Sequence, residues 1–84
     1  MKQTVTRTVT YKGCTLHARA VPDAGRSGFN AEVVVSTAHG SEREDHAVEL
    51  RAWLHASATK ALQYGLDGGR DWVEAHVVAT NGLQ

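Results

Sequence analysis

Apolar and polar side chains alternate from the start of the chain. Val5, Arg7, Val9 and Tyr11 share one side, and Thr4, Thr6, Thr8 and Thr10 share the other. A period of two is the signature of an extended strand, and the β-branched residues that fill the segment favour it, so a first strand is predicted over residues 3–11. Lys12-Gly13 supplies a two-residue turn, and Cys14, Leu16, Ala18 and Ala20 resume the alternation over residues 14–21. With a two-residue loop, Tyr11 faces Cys14, Val9 faces Leu16, Arg7 faces Ala18 and Val5 faces Ala20. Nearly all apolar positions then fall on one face. The other face pairs Thr10 with Thr15, Thr8 with His17, Thr6 with Arg19 and Thr4 with Val21, and it is polar and mildly basic.

Breaker residues concentrate in Pro22-Asp23-Ala24-Gly25-Arg26-Ser27-Gly28. Beyond them Phe29, Ala31, Val33 and Val35 mark a third strand over residues 29–37. The run Val33-Val34-Val35 carries no charge, so this strand is expected in the sheet interior. Residues 38–45 are polar and aperiodic and are read as a solvated connection. Val48, Leu50, Ala52 and Leu54 alternate with Glu49, Arg51, Trp53 and His55, which predicts a fourth strand over residues 47–54. Ala, Glu, Leu and Arg are also good helix formers, and a helix over this stretch is the alternative. Ser57 favours the strand, because it suits the N-cap of a helix starting at Ala58.

From Ala58 the period changes. Ala58, Ala61, Leu62, Gly65, Gly69, Trp72, Val73 and His76 recur every three to four residues, which is one face of one helix over about residues 58–77. Gly65, Gly68 and Gly69 each cost ~1 kcal/mol relative to alanine inside a helix. Gly65 and Gly69 lie on the stripe itself, where the absent side chain would let the helix approach the sheet. A break at residues 67–69 into two short helices is the alternative. The tail, residues 79–84, is expected to fray.

The pattern therefore describes an α+β domain in β-β-β-β-α order. A three- or four-stranded antiparallel sheet is covered on one face by a C-terminal helix, with a core of Val9, Leu16, Phe29, Val33, Val35, Leu50, Leu62 and Trp72. At 84 residues this is one small domain with a meagre core and little room for an enclosed pocket. The single cysteine, Cys14, allows no disulfide within the chain. No apolar run follows the N-terminus, so the cytoplasm is the expected location and no membrane segment is expected. Formal charge is zero, yet residues 1–26 hold five basic side chains against one acidic, and the remainder holds four against eight. That polarity suits an acidic partner or head-to-tail pairing with a second copy.

The layout resembles short uncharacterised bacterial proteins, some of them phage-related, that carry a Tyr-Lys-Gly turn, three or four strands and a late Ala-Leu…Gly…Gly-Arg…Trp helix. The matching residues are Tyr11-Lys12-Gly13, Ala61-Leu62, Gly65, Gly69-Arg70 and Trp72-Val73. They are structural residues, so the resemblance implies an architecture and carries no activity, cofactor or catalytic residue.

Candidate chemistry is thin. Five histidines, at positions 17, 39, 46, 55 and 76, show no i, i+4 pair on the helix and no Cys-x-x-Cys accompanies them, so neither metal nor cofactor is expected. No serine or cysteine sits in a nucleophile turn. The Gly65–Gly69 segment follows a helix and lacks the Lys-Ser or Lys-Thr of a phosphate loop. A non-enzymatic module is therefore expected, with two candidate surfaces. The first is a protein-interaction or self-assembly face on the uncovered side of the sheet, with Trp53 and Val34 as apolar anchors beside Arg51, and homodimerisation through that face or through an exposed edge strand. The second is nucleic-acid binding by the basic hairpin surface of His17, Arg19, Arg7 and Lys12.

Overall fold

The computed structural model describes residues 3–39 and 41–78. The first hairpin joins β1 (Val5–Tyr11) to β2 (Cys14–Pro22) through Lys12 and Gly13, both with positive φ, at 50° and 82°. Positive φ at both central residues is the turn geometry that matches strand twist, and it sets the expected register, from Tyr11 opposite Cys14 to Val5 opposite Ala20. The ladder ends there, so Thr4 lies outside it.

β3 (Phe29–His39) pairs antiparallel with β2, and β4 (Glu42–Val48) pairs antiparallel with β3, giving the order β1-β2-β3-β4. A short β5 (Leu54–His55) returns to β3 at Phe29 and Asn30. The C-terminal cover is α1 (Ala58–Val73), which continues into a π turn over Glu74–Val78. The predicted architecture is therefore the observed one: an antiparallel sheet with one helix packed on one face.

Two boundaries differ from expectation. Residues 38–45 are not a solvated connection: β3 runs on to His39, and β4 starts at Glu42. The fourth strand is correspondingly displaced, because only Ala47, Val48 and Leu54 of the predicted 47–54 segment lie in the sheet. Val33 pairs with Val48 and Asn30 with Leu54, so β3 advances three residues while its neighbour advances six. The surplus loops out as a strap over residues 49–53. The charged run escapes a hydrophobicity pattern because β4 is an edge strand, where charges are tolerated and guard against unwanted pairing. Its side chains are held by polar and ring contacts. Asp45 accepts a hydrogen bond from the Ser36 hydroxyl at 2.7 Å, and the His46 ring stacks on Trp72 at 4.8 Å between centroids.

Ser57 caps α1 as expected, its hydroxyl accepting from the Lys60 N–H at 3.2 Å. The helix passes through Gly68-Gly69 without a break. A Cβ at Gly65 would lie 3.1 Å from the Glu32 carbonyl oxygen, and one at Gly69 would lie 3.1 Å from Val33 Cγ2. These two glycines let the helix axis settle onto the sheet, so close packing offsets their low helix propensity. Leu16, Val33, Val35 and Leu62 are buried, together with Cys14, Ala18, Ala20, Ala61, Leu66 and Val73. Val9, Phe29, Leu50 and Trp72 pack half-buried around them. The expected fraying of residues 79–84 lies outside the described residues.

Candidate functional site

Side chains alternate across the sheet, so the burial of Leu16, Ala18, Val33 and Val35 under α1 sends Thr15, His17, Arg19, Glu32, Val34 and Ser36 to the uncovered face. Three of the expected site residues, His17, Arg19 and Val34, do come together there. His17 is directly opposite Val34 on β3 and touches Thr8 of β1, with Thr8 Oγ1 3.4 Å from Nδ1. Arg19 pairs with Glu32 across the same two strands at 3.4 Å. Towards the β3–β4 turn the face dips into a depression of about 150 Å³ bordered by Thr15, His17, Ser36 and Arg43. Beside it, Asp45 takes hydrogen bonds from Ser36 and, at 3.1 Å, from Arg43, and these hold its carboxyl below the usual carboxylate range. The Ser36 proton is thus committed to a carboxylate. Ser36 and Asp45 could not be paired from sequence, because Asp45 sits in the run that reads as a loop.

Trp53 and Arg51 are elsewhere. Both belong to the strap, which leaves the plane of the sheet. The Trp53 ring lies 5.7 Å from the ring of Tyr64 on α1, with the Arg51 guanidinium 5.5 Å from its centroid. The expected grouping of Trp53 with Val34 on the uncovered face is therefore corrected: the three surplus residues swing the indole to the helix side. Trp53 remains 54% exposed. Between the strap and α1 runs an open cleft of about 500 Å³ whose lining includes Leu50, Arg51, Tyr64, Asp67, Asp71 and Trp72. Leu50 fills the notch over Gly68, where a Cβ would collide with its methyl group.

The basic residues of the hairpin are largely committed to partners. Lys12 forms an ion pair with Glu74, which also accepts the Tyr11 hydroxyl at 2.7 Å, and Arg19 is held by Glu32. Glu74 sits below the usual range for a glutamate, chiefly because Lys12 and then Tyr11 donate to it. Arg7 makes no ion pair among the described residues. Also among the described residues, no group of three or more His, Cys, Asp or Glu is placed to hold a metal ion, and no helix is long and apolar enough to cross a membrane.

The two sheet edges contrast sharply. β4 carries Glu42, Arg43, Glu44 and Asp45 and gives way to the strap. β1 reads Val-Thr-Arg-Thr-Val-Thr-Tyr, with one charge and no glycine or proline, and Val5, Thr6, Arg7, Thr8 and Thr10 are exposed. The two-residue turn makes Tyr11 and Cys14 a hydrogen-bonded pair, and by alternation Val9, Arg7 and Val5 also bond to β2. The N–H and C=O groups of Thr6, Thr8 and Thr10 therefore point outward, where no described strand takes them.

No protein-family model, curated protein or solved structure matches the chain, and the functional reading rests on this geometry.

Proposed function

We propose that the chain is a non-enzymatic interaction module that recruits an extended strand to its β1 edge and so enlarges its sheet. The observation that carries this reading is the unblunted β1 edge, whose outward backbone groups at Thr6, Thr8 and Thr10 lie on a β-branched segment with a single charge. Strand addition uses such a row of main-chain donors and acceptors for affinity. The threonine-rich uncovered face continues past that edge and would extend over the added strand. Nucleic-acid binding has less support, since Lys12 and Arg19 are already engaged by carboxylates.

The test is capture from cell extract, with and without nuclease, by the wild-type chain and by the Thr8→Pro and Trp53→Ala variants. Proline at position 8 removes an outward N–H and leaves the β2 ladder intact. Loss of a nuclease-resistant partner with Thr8→Pro alone supports the edge reading. Loss with Trp53→Ala alone would transfer the function to the strap, and loss on nuclease treatment would favour nucleic acid.

A further inference from the structure

We infer that the strand received by β1 is the β1 of a second copy, paired antiparallel about a two-fold axis through Thr8. This inference rests on the edge reading above and adds the partner and its register.

Self-pairing requires each residue to meet one whose side chain points to the same face and whose backbone groups also point outward. A two-fold axis at Thr8 satisfies both conditions over all seven residues of β1. Thr6 meets Thr10 of the other copy, Thr8 meets Thr8, Arg7 meets Val9 and Val5 meets Tyr11. Thr6, Thr8 and Thr10 are the residues with free outward N–H and C=O groups, so each threonine pair exchanges both main-chain hydrogen bonds. Their side chains lie together on the uncovered face, where cross-strand threonine pairs are favourable.

Neighbouring registers are poorer. An axis at Arg7 would set the two guanidinium groups directly opposite each other, and like charges so placed are destabilising. An axis at Val9 would run Thr6 against Lys12, which is already in the turn, and would shorten the ladder. An axis at Thr8 also puts Val5, 40% exposed in the single chain, against the Tyr11 ring of the second copy. The product is a continuous sheet eight strands across, with each short β5 beside its own β3 and the charged β4 strands at the two outer edges, where further addition is discouraged.

The experiment combines sedimentation with register-specific crosslinking. The wild-type chain is expected to double its mass as concentration rises. Thr8→Pro should stay at the monomer mass with an unchanged circular dichroism spectrum. Thr8→Val, which loses the same hydroxyl but keeps the N–H, should still dimerise. Under mild oxidation Thr8→Cys should form a covalent dimer. Thr6→Cys alone should not, but a mixture of Thr6→Cys and Thr10→Cys should; Cys14 is buried and takes no part. A wild-type chain that keeps the monomer mass at every concentration overturns the inference. So does a dimer that survives Thr8→Pro, or one in which Thr6→Cys links to itself more readily than Thr8→Cys. If Thr8→Pro abolishes capture from extract while the wild-type chain is monomeric, self-pairing falls and the edge reading stands. If the wild-type chain is monomeric and capture survives Thr8→Pro, the edge reading falls as well.

Discussion

The Tyr11 hydroxyl donates to Glu74 Oε1 over 2.7 Å, joining the first hairpin turn to the last turn of the helix, 63 residues away in sequence. Lys12 adds an ion pair to the same carboxylate, and the Arg70 guanidinium lies 6.0 Å from the Tyr11 ring centroid. A carboxylate at a helix C-terminus opposes the helix dipole, so Glu74 needs these donors to be favourable where it is. The clamp also gathers Tyr11-Lys12 and Arg70, residues of the Tyr-Lys-Gly and Gly-Arg motifs that are distant in the chain.

This clamp should make the fold sensitive to acid. Glu74 is lowered by Lys12 and Tyr11, Asp45 by Ser36 and Arg43, and Asp23 by the Asn30 amide and the Gly25 N–H. A carboxyl whose folded pKa is depressed contributes stability that is present above its unfolded pKa and is lost as pH falls through the folded value. Urea midpoints should therefore hold from neutral pH down to the ordinary carboxylate range and fall as pH drops through and below it. Glu74→Gln should flatten that slope while lowering the midpoint at neutral pH. In the alkaline limb the sign reverses. Tyr11 and Lys12 are raised, so the stability they contribute is lost as pH climbs through their folded values.

The three helix glycines should separate by position. Alanine gains about 1 kcal/mol of helix propensity at each. At Gly65 the new Cβ meets the Glu32 carbonyl oxygen at 3.1 Å, a backbone atom fixed in the sheet, and at Gly69 it meets Val33 and Leu16. Overpacking of this kind costs about 1–3 kcal/mol. Gly65→Ala and Gly69→Ala should be net destabilising in denaturant titrations. At Gly68 the obstacle is a methyl of half-buried Leu50, which can rotate away, so Gly68→Ala should be neutral or stabilising. Equal effects at all three positions would contradict the close approach of Gly65 and Gly69.

What could be read from the sequence follows from where a single periodicity governs a segment. The hairpin register was legible because alternation and a two-residue turn agree. The helix was legible because its stripe and the Ser57 cap agree. β4 was not, since its order comes from Ser36 on β3 and Trp72 on α1, partners distant in sequence that a local hydrophobicity pattern does not register. The strap is hidden for a related reason. Val48, Leu50, Ala52 and Leu54 alternate faithfully, yet three of the residues between Val48 and Leu54 are surplus to the ladder, so alternation along the chain no longer reports which face a side chain takes. Of the site residues, His17, Arg19 and Val34 share the uncovered face that strand parity predicts, although they belong to two different candidate surfaces in the sequence, and Arg51 and Trp53 leave it with the register.

His55 offers a stabilising substitution. Its ring packs 4.9 Å from Tyr64, and its Nε2 is buried without a hydrogen-bond partner. An orphaned buried polar atom costs roughly 1–3 kcal/mol, whereas an apolar group of the same shape avoids that penalty. His55→Phe keeps a ring against Tyr64 and deletes the orphan. Its thermal midpoint should rise, in line with a gain of about 1 kcal/mol, and a fall would show that the imidazole has a partner the fold depends on.

Leu50 and Trp53 divide the strap into a packed and an exposed half. Leu50 is half-buried against Gly68, and Leu50→Ala should cost about 1–2 kcal/mol, below the range for a fully buried leucine because part of its surface is already wet. Trp53 keeps more than half its surface in solvent at 54% exposure. Trp53→Ala removes the contacts with Tyr64 and Arg51 and should change the urea midpoint little, since exposed aromatic and cation–π contacts are each worth about 1 kcal/mol or less. Trp53 fluorescence offers an independent check. In a Trp72→Phe background, which leaves Trp53 as the sole indole, Leu50→Ala should shift its emission to the red as the strap loosens, whereas Gly65→Ala, on the face of α1 that packs on the sheet, should leave that emission in place until global unfolding.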